Sequence, residues 1–292
     1  MIFTKVAISG ATGYAGQEMV ALVARHPYLQ LAALLSAHEA GKSTAPYLFS
    51  AGPDMFTHPE DLDPREIDVV ITSGSAKQAF PALLSWAESG CRIIDLSADF
   101  RFQDRTLYES FYGEHPAPHL LHKAVSGYAD DPAMQYGTAQ IVGNPGCYPT
   151  AFFSAVAPLV QAGCIAPMLF VDGKSGVTGG GRLPKVPLMM AEMADNVEPY
   201  ALPGQHRHTV EMELKSGSRV VFQPHLLPIA RGLELTIFWP DAPISPDQVR
   251  RHWQQYFDGN PFIRVLPEGM YPRVARVQHT NRVELQAAMD ER

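Results

Sequence analysis

Three glycines at three-residue intervals, Gly10, Gly13 and Gly16, separate a short β-branched apolar run at residues 5–9 from a helix-like segment at 17–26. Such glycines allow a tight turn and a close approach of the backbone to a pyrophosphate. The helix that follows presents unbonded N–H groups and the positive end of its dipole to that anion. This pattern predicts a Rossmann-type dinucleotide site. Its predicted members are Gly10, Ala11, Thr12, Gly13, Tyr14, Ala15 and Gly16. The alternative is a glycine-rich turn that binds nothing.

Strand and helix patterns alternate through the first half of the chain. Strand-like runs at 30–36, 68–73, 91–96 and 139–143 accompany a helix-like segment at 76–90. This alternation is typical of parallel βαβ units, so we expect an α/β domain over residues 1–146.

The second half has a different pattern. Its strand-like runs lie at 168–173, 219–223, 232–239 and 262–266, and its helix-like segments at 150–163 and 245–257. Strands here outnumber helices, which predicts an α+β domain with a mixed sheet over residues 147–292.

The end of the second predicted strand indicates which dinucleotide binds. A carboxylate at this point would hold the ribose hydroxyls of NAD. Here Ser36 and His38 follow the strand, Glu39 comes late for that role, and Lys42 lies beyond. Ser36, His38 and Lys42 favour a 2′-phosphate, so we expect NADP rather than NAD.

Cys147 lies in the segment Asn144-Pro-Gly-Cys-Tyr-Pro-Thr150, between a strand and a helix that we expect to begin near Pro149. The dipole at a helix N-terminus favours a reactive thiolate, and the N–H groups there can stabilise an oxyanion. We therefore predict that Cys147 is a nucleophile; the alternative is a small buried thiol. For Cys91 and Cys164, each of which follows a glycine that ends a predicted helix, we expect structural roles.

His206 and His208 are candidate bases for this thiol, because histidine exchanges protons near neutral pH. The alternative for each is a surface or capping histidine. A metal site would require His225 or a carboxylate to converge on them, and we predict no metal.

Two further segments indicate an anionic ligand. The glycine-rich segment 174–182 carries Lys174 and Arg182 at its ends, and its backbone N–H groups, including those of Ser175 and Gly176, can cradle an anion. Arg101 follows the fourth predicted strand, where α/β sheets bind ligands, although Asp95 or Asp99 could be its ion-pair partner. The alternative for the glycine-rich segment is a flexible crossover loop.

Composition excludes several classes of function. The net charge of −7 disfavours a nucleic-acid or polybasic membrane surface. No apolar run reaches the roughly 20 residues of a membrane span, and the N-terminal segment does not resemble a signal peptide. Three widely spaced cysteines support neither a disulfide framework nor a zinc site, so we expect a cytoplasmic protein.

These motifs together resemble those of the N-acetyl-gamma-glutamyl-phosphate reductases, the arginine-biosynthesis branch of the aspartate-semialdehyde dehydrogenase-like enzymes. The matching segments occur in the family's order and span nearly the whole chain. They lie at 10–16, 95–101, 143–150, 174–182, 206–211 and 224–226, followed by Arg231-Gly232.

The resemblance implies a function. Cys147 would attack the gamma-acyl phosphate, His208 or His206 would act as acid and base, and NADPH would reduce the thioacyl intermediate to a semialdehyde as phosphate leaves. It also implies a homo-oligomer, dimer or tetramer, formed through the sheet of the second domain. The substrate-binding residues would be Arg101, Asn144, Lys174, Arg182 and Arg207.

The sequence departs from the family in two places. Residues 73–78, which would border the cofactor through Ser73 and Gly74, replace the family's usual Pro-His-Gly-x-Ser. Family members also continue past the point that matches Glu291 with a strand, a segment near the nicotinamide and a helix. We therefore expect part of the cofactor site to be open, with a turn at 289–292.

Two rival functions stay open on the sequence alone. One is a related reductase acting on an aminoadipate or aspartyl phosphate. The other is a non-catalytic NADP-binding regulator, which would bind the cofactor without turnover.

Overall fold

A computed structural model describes residues 3–48 and 52–291. The chain divides into two compact units. The first comprises residues up to Gly127 together with Gln135–Pro145, and the second comprises Tyr128–Met134 and the residues from Gly146 onward.

The first unit is built on a six-stranded sheet in which every neighbouring pair is parallel. Its strands are β1 (Thr4–Ser9), β2 (Leu29–Leu35), β3 (Val69–Thr72), β4 (Arg92–Asp95), β5 (Ala124–Ser126) and β6 (Ile141–Gly143). Its helices are α1 (Tyr14–Arg25), α2 (Phe80–Glu88) and α3 (Arg105–Tyr112). The strand order β2-β1-β3-β4-β6-β5 confirms the predicted Rossmann-type domain.

Strand β1 is an inner strand of this sheet, between β2 and β3, and is covered on both faces. Val6, Ala7 and Ile8 are consecutive and are all at most 1% exposed, which is why the strand is a continuous apolar run rather than an alternating one. The chain leaves β1 towards β2 on one side and later returns to β3 on the other. The carboxyl ends of β1 and β3 therefore form the crevice in which open α/β sheets bind ligands.

The second unit contains a four-stranded mixed sheet in the order β10-β7-β9-β8, with β7 and β9 parallel and the outer pairs antiparallel, and a separate two-stranded parallel pair. Its strands are β7 (Met168–Gly176), β8 (Glu198–Pro199), β9 (Arg219–Leu227), β10 (Leu233–Phe238), β11 (Ile263–Val265) and β12 (Val283–Leu285). Its helices are α4 (Cys147–Gln161), α5 (Met190–Met193), α6 (His208–Ser216), α7 (Pro246–Tyr256) and α8 (Val274–Val277). The predicted mixed sheet is confirmed.

The core of this unit surrounds α4. Phe152, Phe153 and Val156 on this helix are buried with Phe222 of β9 and Trp253 of α7. Parallel strands need a crossover connection, and α6 belongs to the one that joins β7 to β9. The first turns of α4 and α6 meet at Gly146, whose N–H donates to Glu211 of α6.

Several element boundaries differ from those predicted. The helix predicted over 76–90 begins only at Phe80. The helix predicted to begin near Pro149 begins at Cys147. The sequence patterns do not predict helices α3, α5, α6 and α8 or strands β5, β8 and β12.

Candidate active site

Cys147 is the first residue of α4. Gly146 before it is the N-cap residue, with extended backbone angles (φ −61°, ψ 162°) and no side chain to cap the helix. The thiol is exposed. Because the first turn of a helix carries N–H groups without intrahelical partners and a partial positive charge, this position favours a thiolate and an adjacent oxyanion.

The imidazole of His208 lies directly against the turn before Cys147. A Cβ atom on Gly146 would lie 2.3 Å from His208 Nε2, so only glycine accommodates the ring there. His208 is the first residue of α6, and the turn that its ring contacts is the start of α4. The two first turns thus bring an imidazole and a thiol-bearing residue together.

Glu211 fixes this junction from the next turn of α6. The side chain is only 4% exposed, and its Oε1 accepts the N–H of Gly146 at 3.0 Å. The sequence pattern singles out the segment 206–211 but predicts no role for Glu211. The available signal was an acidic residue three positions after His208, on the same helix face.

His206 differs from His208 in its surroundings. Its ring contacts Tyr148, Tyr200 and Phe222 at centroid distances of 5.9, 5.7 and 5.2 Å, and His208 at 4.6 Å. Burial, followed by the charge of Arg207, lowers the pKa of His206 to about 4. Of the two candidate bases, His208 is the one whose ring lies against Gly146. His206, with its lowered pKa, stays neutral at physiological pH.

Lys174 and the glycine-rich segment lie on and after β7. Gly176 packs against backbone carbonyls: a Cβ there would approach Ala230 O at 2.7 Å. Lys174 lies 2.6 Å from Asp172 and 3.1 Å from Glu234. Burial opposes ionisation of Lys174, but hydrogen bonds to those two carboxylates outweigh it and raise its pKa. Any anion that binds Lys174 would have to compete with two carboxylates.

The remaining predicted residues of the second unit occupy separate positions. Ser175 is buried at 5% exposure, whereas Arg182 and Arg207 are exposed. Arg207 directly precedes α6 and so stands between the two histidines in the chain.

In the first unit, Arg101 holds the segment that leads to the cysteine. Its Nε donates to the carbonyl of Asn144 at 2.8 Å, and its Nη2 donates to the carbonyl of Leu96 at 2.9 Å. The N–H of Asn144 in turn donates to the carbonyl of Asp95 at 2.7 Å. The predicted residues Arg101 and Asn144 are thus brought together at the carboxyl ends of β4 and β6.

Asp95 and Asp99, the alternative ion-pair partners considered for Arg101, have other contacts. Asp95 is 1% exposed and accepts hydrogen bonds from Thr72 and Ser97, and its burial raises its pKa. Asp99 accepts the hydroxyl of Tyr108 at 2.6 Å.

The predicted dinucleotide loop joins β1 to α1. Gly10 adopts φ +83°, a left-handed conformation that favours glycine, and a Cβ on Gly16 would lie 2.2 Å from the carbonyl oxygen of Gly10. Gly13 is the N-cap residue of α1 without a side-chain cap, and no acidic residue occupies the first turn. A tight turn in front of uncapped N–H groups suits a pyrophosphate, so the loop fits the predicted dinucleotide.

Ser73 and Gly74 lie beside this loop. The hydroxyl of Ser73 donates to the carbonyl of Ser9 at 3.0 Å and lies 3.2 Å from that of Gly10. After β2, the Oγ of Ser36 accepts the N–H of Glu39, and Glu39 pairs with Lys42 at 3.2 Å, while His38 is exposed. The hydroxyl of Ser73, at the end of β3, thus lies beside the glycine loop at the end of β1.

Cys91 and Cys164 are not near the cysteine turn in the chain. Cys91 is buried, which raises its pKa to about 11, and Cys164 is partly buried.

Over residues 3–48 and 52–291, no group of three or more His, Cys, Asp or Glu residues is arranged to hold a metal ion. None of the helices in those ranges is long and apolar enough to cross a membrane.

Comparisons with known proteins match the fold of both units. The model of the semialdehyde dehydrogenase NAD binding domain matches residues 5–195, and that of the semialdehyde dehydrogenase dimerisation domain matches residues 147–292. Among solved structures, aspartate semialdehyde dehydrogenase II of Vibrio cholerae is similar, with a TM-score of 0.71, 19% identity, and coverage of 94% of this chain and 84% of that one. The aspartate semialdehyde dehydrogenase of Candida albicans, solved with NADP, has a TM-score of 0.67, 16% identity, and coverage of 94% and 85%. At these identities the likeness concerns the fold.

Curated sequences are much closer. The N-acetyl-gamma-glutamyl-phosphate reductase of Pelotomaculum thermopropionicum is 38% identical over 99% of this chain and 86% of its own length. That of Moorella thermoacetica is 35% identical over 99% and 87%. The chain therefore belongs to the semialdehyde dehydrogenase family, in the branch formed by the N-acetyl-gamma-glutamyl-phosphate reductases.

Proposed function

We propose that this chain reduces N-acetyl-gamma-glutamyl phosphate to N-acetylglutamate 5-semialdehyde with NADPH and releases phosphate. The observation that carries this proposal is Cys147 at the first turn of α4, with the His208 ring against Gly146. The relatives named above support the choice of substrate.

The reaction begins when His208 takes the proton of the Cys147 thiol. The thiolate attacks the gamma-carbonyl carbon, so a C–S bond forms, and the C–O bond to phosphate breaks as the tetrahedral intermediate collapses. The first-turn N–H groups of α4, including that of Tyr148, stabilise the oxyanion. The product of this step is a thioester on Cys147.

Bound NADPH supplies the hydride that reduces the thioester carbon. Hydride addition gives a tetrahedral alkoxide, and its C–S bond breaks as the C=O bond re-forms, which releases the aldehyde and returns the sulfur as a thiolate. His208 returns its proton to the sulfur, and the phosphate that left takes one proton from solvent, so that one proton is consumed per turnover. In the reverse direction, Cys147 attacks the aldehyde.

Arginines are the residues that we assign to the substrate's anionic groups. Arg101 has its guanidinium fixed by two carbonyls, and Arg182 and Arg207 are exposed cations. Asn144 is held beside Arg101 and offers an amide. Lys174 is the weakest of the predicted substrate contacts, because Asp172 and Glu234 already hold it.

We assign NADP to the loop Gly10–Gly16, with Ser73 and Gly74 beside it. Ser175 and Gly176 are the weakest of the assigned cofactor contacts, because Ser175 is buried and the N–H of Gly176 already donates to the carbonyl of Gly232 at 3.0 Å. Specificity for the 2′-phosphate is assigned to Ser36 and His38, because Glu39 is paired with Lys42 and does not occupy the end of β2. On this assignment, His38→Ala raises the KM for NADP relative to that for NAD.

We propose that the chain forms a homo-oligomer, a dimer or tetramer, and that the second unit provides the interface. Phe170 of β7 and Phe238 of β10 are direct cross-strand partners, yet they are 40% and 56% exposed. Such a pair on one sheet face is suited to an interface between copies. Light scattering of Phe170→Glu, which would place a charge on this face, should give a smaller particle. A cytoplasmic location suits a thiol that must stay reduced.

The decisive experiment is phosphate-dependent reduction of NADP with N-acetylglutamate 5-semialdehyde. Cys147→Ser should lower turnover on the order of 10⁴-fold or more, as removal of a nucleophile does. Cys164→Ser is the matched control, since it removes a partly buried thiol that follows the same helix at its other end. Unchanged turnover in Cys147→Ser would exclude the mechanism.

The same assay separates the rival functions. Preference for aspartate or aminoadipate semialdehyde would favour a related reductase. NADPH binding without turnover of any semialdehyde would favour a regulator.

A further inference from the structure

The ring of His206 is enclosed by aromatic side chains and by its neighbour in the site. Tyr148, Tyr200 and Phe222 contact it from α4, from the segment after β8, and from β9. The His208 ring lies on another side, at 4.6 Å and an interplanar angle of 63°. Four rings therefore pack around His206, which is partly buried.

A hydrogen bond fixes the same two residues through the backbone. The N–H of His208 donates to Nδ1 of His206 at 3.1 Å. An accepting Nδ1 requires the neutral ring with its proton on Nε2. Since His208 opens α6, this bond satisfies one of the N–H groups that a helix leaves unpaired at its start.

The hydrogen bond alone does not distinguish His206. His58 makes the same contact, with Nδ1 accepting the N–H of Glu60 at 3.3 Å, at the start of a single 3₁₀ turn on the surface. What His206 adds is the enclosure and the ring contact with His208. His58 is therefore a matched control for the capping bond by itself.

We infer that His206 is a positioning residue, which holds the first turn of α6 and the ring of His208 against Gly146 and leaves proton transfer to His208. This inference rests on the proposed function, in which His208 exchanges protons with the Cys147 thiol. It divides the work of the two histidines, which the sequence pattern leaves equivalent.

Electrostatics agree with this division. Burial, with the charge of Arg207 in second place, lowers the pKa of His206 to about 4. The groups facing it are the phenols of Tyr148 and Tyr200, whose own pKa values burial raises, and the imidazole of His208. Among the described residues, the charged neighbour that shifts the pKa of His206 is Arg207, and its positive charge disfavours protonation as well.

The test uses replacements that either keep or remove the acceptor. In His206→Asn the side-chain oxygen can accept the His208 N–H, as Asn does at helix starts, so kcat should stay within about threefold of the parent. In His206→Leu the acceptor is lost and His208 shifts, so kcat should fall about 10- to 100-fold. His58→Leu removes the equivalent bond elsewhere and should leave kcat unchanged.

Proton transfer is read separately, from the pH dependence of kcat and of Cys147 alkylation. His206→Asn should retain the limb of each profile that belongs to the imidazole, whereas His208→Asn should lose it and slow turnover on the order of 10²-fold or more. Loss of that limb in His206→Asn, with retention in His208→Asn, would overturn the inference. So would equal kcat in His206→Leu and the parent.

The alkylation profile also keeps this result distinct from a failure of the proposed function. It reports on the thiol and imidazole in the absence of any substrate. A chain that turns over no semialdehyde would contradict the proposed function, and the difference between the Asn and Leu variants in alkylation would still decide the role of His206. Thermal unfolding of each variant confirms that it is folded.

Discussion

Gly146 is the residue that lets an imidazole approach the turn before Cys147. A Cβ at this position would lie 2.3 Å from Nε2, 2.7 Å from Cε1 and 2.8 Å from Cδ2 of His208. The whole edge of the ring therefore rests on the glycine. A side chain of any size would displace the ring of His208 from this turn.

We predict that Gly146→Ala lowers kcat about 10²-fold, because an ångström-scale displacement of a catalytic group has that effect. Overpacking should also reduce the free energy of unfolding by about 1–3 kcal/mol. Steady-state turnover and urea unfolding measure the two effects. Gly137→Ala is the control, since a Cβ there meets nothing within 4 Å. Full activity in Gly146→Ala would show that His208 need not lie against this turn.

Glu211 is predicted to act through the same turn. Glu211→Ala leaves the buried N–H of Gly146 without its acceptor and should lower the free energy of unfolding by about 1–3 kcal/mol. Glu211→Gln keeps an acceptor oxygen of similar reach and should recover most of that loss. Urea unfolding of both variants tests this, and equal stability of the Ala and Gln variants would argue against the hydrogen bond.

At the scale of single residues, the sequence predicts which side chains can react better than it predicts where they lie. Cys147 and the two histidines can be predicted as candidates because few other side chains act as a nucleophile or exchange protons near neutral pH. Glu211 is not, because its partner is a backbone N–H that is 65 residues away along the chain. The choice between His206 and His208 likewise depends on which ring lies against Gly146, and this contact arises only when the first turns of α4 and α6 meet.

Among the elements, the β1–loop–α1 unit carries the cofactor assignment. We predict that Gly16→Ala weakens NADPH binding at least about tenfold, because the new Cβ would lie 2.2 Å from the carbonyl of Gly10 and the turn would have to open. Fluorescence titration of NADPH measures the change. Gly137→Ala again serves as the control, and unaltered NADPH affinity in Gly16→Ala would contradict the assignment of this loop.

Elements with a strong apolar pattern were predictable, and those without one were not. β1, β10 and α7 follow from a continuous apolar run, from an alternating strand pattern and from an N-terminal Ser-Pro signal. α6 was missed because its buried residues include Thr209, Glu211 and Ser216, which leave no apolar stripe. β5 and β12 have three residues each, too few for any period to show; β6 and β11 are equally short and are predicted only as parts of the longer strand-like runs at 139–143 and 262–266.

Across the whole molecule, each unit contains a histidine that burial keeps neutral. His115 in the first unit is 2% exposed, and burial lowers its pKa. His206 has the same property in the second unit. No sequence pattern predicts these shifts, because the burial that causes them comes from residues distant in the chain.

Such histidines make stability depend on pH in a defined window. The folded-state pKa of His206, about 4, lies below its ordinary value of 6.5. Between these values the unfolded chain binds a proton that the folded chain does not. The contribution is therefore fully present above about pH 6.5 and is lost as the pH falls towards 4. Asp95 acts in the opposite sense, because burial raises its pKa and its protonation at low pH favours the folded state.

We predict that the free energy of unfolding of His206→Asn depends less on pH between 6.5 and 4 than that of the parent. The slopes should differ by at most about 1.4 kcal/mol per pH unit, the value for one proton. Because variant and parent share Asp95, Asp63 and Glu109, the comparison cancels the effect of these carboxyl groups. Hydrogen bonds lower the pKa values of Asp63 and Glu109, so those two groups act at lower pH. Gln205→Asn, a neighbouring change without a titratable group, should retain the parent slope. Identical slopes in His206→Asn and the parent would mean that His206 is protonated in the folded protein as readily as in the unfolded chain, and the enclosed ring could not then be the neutral acceptor that positions His208.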